Sequence, residues 1–112
     1  MKYLITGGAG YIGSTICSAL KDAGHTPVIL DSLITGREEF TRDHLFYKAD
    51  ISDSAAVEKV FKEHPDIQAT IHCAALIVVP ESVAMPYEYY RHNVAKSIEF
   101  FNTLQRIGHG RV

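Results

Sequence analysis

The fold is decided by the stretch Gly7-Gly8-Ala9-Gly10-Tyr11-Ile12-Gly13, in which glycines recur at every third position from Gly7. It follows a short apolar run and opens a segment of helical periodicity. At such a strand-to-helix turn, Gly7 permits the tight turn, Gly10 lets the backbone approach a pyrophosphate, and Gly13 lets the helix pack close to the sheet. The helix would direct its first N–H groups and its positive dipole end at the phosphates.

An acidic residue at the end of the second apolar run completes this pattern. Asp31 lies about 18 positions after Gly13, near the roughly 20 typical of a carboxylate that binds the adenosine ribose. A carboxylate there accepts hydrogen bonds from the ribose hydroxyls and repels a 2′-phosphate, which predicts NAD rather than NADP. Arg37, in the following polar loop, is the residue that would favour NADP instead. A surface or capping Asp is the alternative interpretation of Asp31.

Strand-like and helix-like segments alternate along the chain. This order predicts an α/β Rossmann-type doubly wound parallel sheet with right-handed crossovers and strand order 3-2-1-4. Arg111-Val112 looks like a fifth strand that has barely begun, so we expect a truncated sheet. Residues 1–112 would then be the N-terminal part of an NAD-binding Rossmann domain. The predicted strands are 3–5, 27–30, 45–49 and 67–74, and the predicted helices are 11–23, one capped by Ser52 or Asp53, and 87–107.

The segment after the fourth strand is predicted from its prolines and its periodicity. Two prolines between Leu76 and Pro86 indicate a loop. A long helix then runs to about Ile107, ended by Gly108, with one apolar face expected to lie against the core. The residues assigned to that face are Tyr90, Val94, Ile98, Phe101 and Leu104.

Composition excludes several classes of protein. The chain has 112 residues and a formal net charge of −2, which fits one domain without a basic surface for nucleic acid or membrane. No apolar run approaches transmembrane length. The histidines show no metal-ligand spacing, so no metal site is predicted. Cys17 and Cys73 lack a CxxC partner and are expected to be reduced thiols, in a cytoplasmic protein.

Two further strand ends are expected to lie at the same edge of the sheet as the glycine turn and Asp31. Asp50-Ile51 ends the third strand, where the Asp50 carboxylate could accept a hydrogen bond from the adenine amine and the Ile51 backbone could meet the ring. A helix cap is the equally weighted alternative for Asp50. Cys73-Ala74-Ala75 ends the fourth strand, and small residues there would allow the chain to lie against the cofactor or, alternatively, a helix to pack closely.

These motifs together resemble the extended short-chain dehydrogenases/reductases, and most closely the sugar-nucleotide epimerases that interconvert UDP-glucose and UDP-galactose. The resemblance implies a tightly held NAD that transiently oxidises the sugar at C4, and pairing as homodimers through long helices. It also implies cofactor contacts from Tyr11 and Ile12 at the pyrophosphate, from Ile77 and Asn93, and from the adenosine loop of Ser32, Leu33, Ile34, Thr35 and Gly36. The motifs that carry it are 6–14, 24–25, 29–33, 49–51, 71–75, 79–82, 86–90 and 93–94.

The catalytic residues of that family are missing from these 112 residues. Its chemistry needs a Tyr-x-x-x-Lys pair, and no tyrosine here has a lysine four positions later. We therefore predict no catalytic residue within the chain and no activity for it alone. Cys73 and Ile77 also stand where the family often has Phe and Lys. Other sugar-nucleotide epimerases or dehydratases, a non-catalytic NAD-binding module and a ligand-free structural domain remain alternatives.

Overall fold

A four-stranded parallel sheet forms the centre of the protein. The computed structural model describes residues 1–112 and gives the strand order 3-2-1-4, numbered along the chain, which confirms the predicted topology. Thr6 pairs with Leu30 on one side and with His72 on the other, so the carboxyl ends of these three neighbouring strands lie at one edge. The strands are β1 (Lys2–Thr6), β2 (Thr26–Asp31), β3 (Leu45–Lys48) and β4 (Ile67–His72).

Helices connect the strands and cover both faces of the sheet. The first, α1 (Tyr11–Asp22), is followed after its C-cap Ala23 by Gly24, which adopts the left-handed conformation (φ +83°) that favours glycine. Of the two caps considered for α2, Asp53 is the one observed, since its side chain accepts a hydrogen bond from the Ala56 amide at 3.1 Å. The helices are α1 (Tyr11–Asp22), α2 (Ser54–Glu63), α3 (Val79–Ala84), α4 (Pro86–Tyr90) and α5 (Lys96–Arg106), with a 3₁₀ turn at Glu38–Thr41.

The core consists of one apolar layer on each face of the sheet. Consecutive residues of β1 serve both layers, because side chains alternate across a strand: Leu4 belongs to the larger layer and Ile5 to the smaller one. The smaller layer joins Ile5 and Ile29 to Cys17 of α1. The larger layer contains Leu4, Val28, Leu30, Ile51, Val57, Val60, Ile67, Phe100 and Leu104.

The segment between β4 and Gly108 differs from its prediction. Part of the expected loop forms α3, and the expected single helix consists of α4, a π-helical segment at Arg91–Ala95, and α5. The assigned face was also wrong: Tyr90, Val94, Ile98 and Phe101 are exposed, and only Leu104 of that set is buried. The buried face of α5 instead includes Ser97 and Thr103, whose hydroxyls are satisfied by His72 and by the Glu99 carbonyl.

The last residues run beside the outer edge of β4. The Thr70 amide donates a hydrogen bond of 2.9 Å to the Arg111 carbonyl, which is where a fifth strand was expected to start. Only this one backbone contact is made, and residues 109–112 have no regular secondary structure. None of the helices has the length and apolar character needed to span a membrane.

Candidate functional site

A cleft opens at the carboxyl edge of the sheet, where the chain leaves β1 toward α1 on one side and β4 toward α3 on the other. Ligands of doubly wound folds bind at such a switch point. The enclosed part measures about 100 Å³, so a dinucleotide would lie along a groove rather than within a closed cavity. The predicted site residues that line it are Gly7, Gly10, Asp31, Ser32, Thr35, Gly36, Asp50, Ile51, Cys73, Ala74 and Ala75, and Ile34 of the adenosine loop does so as well.

The glycine turn is shaped by backbone that leaves no room for side chains. Gly7 has φ +70°, and a Cβ on it would come within 2.8 Å of the Cys73 carbonyl carbon and the Ala74 amide. A Cβ on Gly13 would overlap the Gly7 carbonyl oxygen. Gly13 is therefore buried beneath the turn and supports the site without lining it, while Gly10 stays open to the cleft.

The first turn of α1 offers its backbone rather than its side chains. The side chains of Tyr11 and Ile12 are exposed and do not line the cleft. No side chain caps the helix at Gly10. Because the first N–H groups of a helix have no intrahelical partner, the amides at this end can serve an anion.

Asp31 lies between the glycine turn and the adenosine loop. Its Oδ2 accepts a hydrogen bond of 2.9 Å from the Ala9 amide, and its Oδ1 accepts one of 2.8 Å from the Leu33 amide. A carboxylate has about four acceptor positions, so each oxygen retains one for a ligand. Leu33 itself takes a left-handed conformation (φ 63°) and does not line the cleft.

Close packing of the adenosine loop requires glycine at position 36 and holds the Arg37 backbone in place. A Cβ on Gly36 would lie 3.0 Å from Asp31 Oδ1, so a larger residue would press on the carboxylate. Arg37 fixes the loop through its backbone, because its amide donates to the Ala9 carbonyl at 2.9 Å. The Arg37 guanidinium instead lies 3.7 Å from Glu39 at the surface, and Arg37 does not line the cleft.

Asp50 is held by two side chains at the far end of the cleft. Its Oδ1 accepts hydrogen bonds from the amide and hydroxyl of Ser52, and its Oδ2 accepts one of 2.8 Å from Lys96 Nζ. Burial alone would raise the pKa of this carboxyl, but the hydrogen bonds from Lys96 and Ser52 outweigh burial and lower the pKa. The capping interpretation of Asp50 is wrong, because Asp53 caps α2.

A buried polar chain fixes the backbone that follows β4. The Thr6 hydroxyl oxygen accepts hydrogen bonds from the Cys73 and Ala74 amides, so its own proton is donated to His72 Nδ1 at 2.6 Å. His72 Nε2 then carries a proton and donates to the Ser97 hydroxyl at 3.2 Å. Burial lowers the pKa of the His72 imidazole, which favours this neutral form.

The small residues after β4 present a neutral surface to the cleft. Burial raises the pKa of the Cys73 thiol, so the thiol stays protonated near neutral pH. Ala74 and Ala75 add only methyl groups, which leaves space over the Gly7 turn. An extended ligand can therefore lie against this stretch without charge repulsion.

Besides Tyr11, Ile12, Gly13 and Leu33, two further predicted contact residues, Ile77 and Asn93, do not line the cleft. The Asn93 carboxamide both accepts from the Leu76 amide and donates to the Leu76 carbonyl, at 2.8 Å each, so it holds the loop after β4 in place. Ile77 is 78% exposed. Leu76, within the stretch from Cys73 to Ile77 that the resemblance assigns to the cofactor, lines the cleft. The lining residues that the sequence prediction missed are Leu30, Ala49, His92 and Lys96. Lys96 contacts Asp50, which lies 46 positions earlier in the sequence, so no local spacing indicated it.

Comparison with known proteins gives a uniform result. Residues 3–112 match the NAD dependent epimerase/dehydratase family. The chain is 40% identical to UDP-glucose 4-epimerase of Bacillus subtilis (strain 168) over 96% of its own length and 34% of that protein. It is 37% identical to a UDP-glucose 4-epimerase of Klebsiella pneumoniae, over 96% of its own length and 83% of that sequence.

Solved structures show the same likeness. The UDP-glucose 4-epimerase of Brucella ovis in complex with NAD superimposes with a TM-score of 0.91 at 34% identity, covering 96% of this chain and 33% of that one. The enzyme from Stenotrophomonas maltophila, with bound NAD and formylated UDP-arabinopyranose, gives 0.89 at 38% identity, covering 96% and 34%. The chain thus spans about a third of the length of most of these relatives.

Proposed function

This chain belongs to the NAD dependent epimerase/dehydratase family, and from that premise we propose that it is the NAD-binding segment of a cytoplasmic enzyme that interconverts UDP-glucose and UDP-galactose, in galactose metabolism. The observation that carries the NAD part is Asp31, which is hydrogen-bonded to the Ala9 and Leu33 amides and lines the cleft beside the glycine turn. The similarity to UDP-glucose 4-epimerases supports the choice of reaction.

In this proposal, different residues of the cleft bind different parts of the cofactor. The backbone amides of Tyr11 and Ile12 bind the pyrophosphate, and Gly10 lets it approach. Asp31 accepts hydrogen bonds from the adenosine ribose, and the 32–36 loop covers that side. Asp50 and Ile51 meet the adenine, and Cys73, Ala74 and Ala75 lie along the cofactor. When bound, NAD supplies a hydride acceptor for the sugar C4 position.

The chain contributes binding and orientation rather than proton transfer. A Tyr-x-x-x-Lys pair, which would take the proton of the sugar hydroxyl, does not occur in the 112 residues. We therefore propose that these residues position NAD and exclude water beneath it, and that they turn over no sugar by themselves. A different sugar-nucleotide epimerase or dehydratase would use the same cleft, so the substrate is the part that rests on similarity alone.

The test is calorimetric titration of the purified chain with NAD and with NADP. We expect NAD to bind more tightly than NADP, because the Asp31 carboxylate opposes a 2′-phosphate. Asp31→Asn should weaken NAD binding by about tenfold and reduce the preference. Asp43→Asn is the matched control, since Asp43 is exposed and does not line the cleft, and it holds a left-handed position that Asn tolerates. Absence of NAD binding, or tighter binding of NADP, would contradict the proposal.

We also propose that the chain pairs with a second copy through the exposed apolar side of its last helices. Tyr90, Val94, Ile98 and Phe101 recur at helical spacing and remain between 45% and 71% exposed. Ile98→Asp should shift the population from dimer to monomer in light scattering, whereas Lys59→Asp on the exposed side of α2 should not. A wild-type chain that stays monomeric at high concentration would refute pairing by this side.

A further inference from the structure

An ion pair crosses the end of the cleft assigned above to the adenine. Lys96, the first residue of α5, places Nζ 2.8 Å from Asp50 Oδ2, and Asp50 follows β3 on the opposite wall. Their side chains are only 18% and 28% exposed, and both residues line the cleft. Fully exposed ion pairs contribute little to stability, whereas this pair is largely shielded from solvent and lies in the wall of a ligand site.

The pair has a defined set of free hydrogen-bonding positions. The Ser52 amide and hydroxyl both donate to Asp50 Oδ1, and Lys96 occupies one acceptor position on Oδ2. With about four acceptor positions on a carboxylate, a single one remains on Oδ2. The Lys96 ammonium has three donors, of which two remain. One free acceptor therefore lies directly beside free donors.

We propose that Lys96 is a specificity-determining residue that reads the adenine base of the dinucleotide together with Asp50. The inference rests on the proposed NAD binding and adds to it a residue that the sequence prediction did not include. Adenine presents an exocyclic amine, which donates, next to a ring nitrogen, which accepts. Asp50 accepts from the amine and Lys96 donates to the ring nitrogen.

The lysine matters because a carboxylate alone discriminates weakly. Hypoxanthine replaces the amine by an oxo group and carries a proton on the neighbouring ring nitrogen, so its donor and acceptor are exchanged. An isolated carboxylate accepts equally from the adenine amine or, after a small shift of the base, from the hypoxanthine N–H. A fixed ammonium beside the carboxylate prevents that shift, because the ammonium and the hypoxanthine N–H are both donors and would oppose each other.

The experiment compares NAD with nicotinamide hypoxanthine dinucleotide by calorimetric titration of the full chain. The two ligands carry the same charge, so a general electrostatic effect of losing a lysine cancels in the ratio of their affinities. The variants are Lys96→Met, which removes the donors, Lys96→Arg, which keeps a charged donor, and Lys59→Met, a control on the exposed side of α2. Thermal unfolding of each variant reports separately on folding.

We expect the wild-type chain and Lys59→Met to prefer NAD by at least about tenfold, Lys96→Met to lose most of that preference, and Lys96→Arg to retain part of it. Equal binding of the two dinucleotides by the wild type, or an unchanged ratio in Lys96→Met whether or not its stability falls, would overturn the role of Lys96 while leaving NAD binding intact. Failure of the wild type to bind either dinucleotide would instead overturn the proposed function, and this inference with it.

Discussion

The first crossover of the chain and the segment from Leu76 to Ile107 were equally regular in sequence, yet only the first folds as its pattern predicts. In the β1–α1–β2 unit, a Cβ added to Gly7 would lie 2.8 Å from neighbouring backbone, and one added to Gly13 would overlap the Gly7 carbonyl oxygen. These close contacts require glycine at both positions. In the later segment, an apolar stripe of helical period lies on the exposed side of the helix. Periodicity identifies a helix but does not say which side is covered.

The largest expected effect is a difference in unfolding free energy between substitutions on the buried and the exposed side of α5. Phe100 is fully buried in the larger core layer, so Phe100→Ala should lower the free energy of unfolding by about 3–5 kcal/mol. Ile98 is 60% exposed, and Ile98→Ala should change it by less than about 0.5 kcal/mol at a concentration where the chain is monomeric. Urea titration of both variants is the measurement, and equal losses would show that the assignment of faces is wrong.

A somewhat smaller effect is expected in the glycine turn. Gly13→Ala places a methyl group against the Gly7 carbonyl, which the backbone must move to avoid, so we expect a loss of about 2–3 kcal/mol in unfolding free energy. Gly110→Ala is the control, because nothing lies within 4 Å of its added Cβ. If Gly13→Ala were as stable as Gly110→Ala, the claim that close backbone packing requires glycine at position 13 would be wrong.

Some features of the fold and the cleft could be predicted from the sequence, and others could not. The sheet order followed from the alternation of elements, and a cap at Ser52 or Asp53 followed from the side-chain oxygens before the helix. Much of the cleft followed too, since strand ends in a parallel sheet meet at one edge. Lys96 was missed because its partner, Asp50, is 46 positions away, and no local pattern joins the two.

The smallest expected effect concerns the polar chain that joins the two regions. Burial lowers the pKa of His72, so the unfolded state takes up a proton at a higher pH than the folded state. Stability from this group is therefore complete above about pH 6.5 and declines as pH falls through that value toward the lower folded pKa. Unfolding free energies measured from pH 7 to 5 should fall less steeply in His72→Gln, by on the order of 1 kcal/mol.

His44 and His109 also have pKa values lowered chiefly by burial, so they contribute to the same decline and remain in the variant. His25, which packs against Tyr3 outside this polar chain, provides the control substitution His25→Gln. An identical pH profile for His72→Gln and the wild type would mean that His72 is not held neutral between Thr6 and Ser97.

The most direct test of the account is a nuclear magnetic resonance titration of the ¹⁵N-labelled chain with NAD. The cleft at the carboxyl edge of the sheet predicts shifts of the amide signals of Gly10, Tyr11 and Ile12, with further shifts at 33–36, 50–51 and 73–75. Amides at the opposite edge, such as those of Lys2 and Thr26, should stay in place. Shifts confined to that opposite edge, or a spectrum unchanged at millimolar NAD, would contradict the assignment of this cleft to the cofactor.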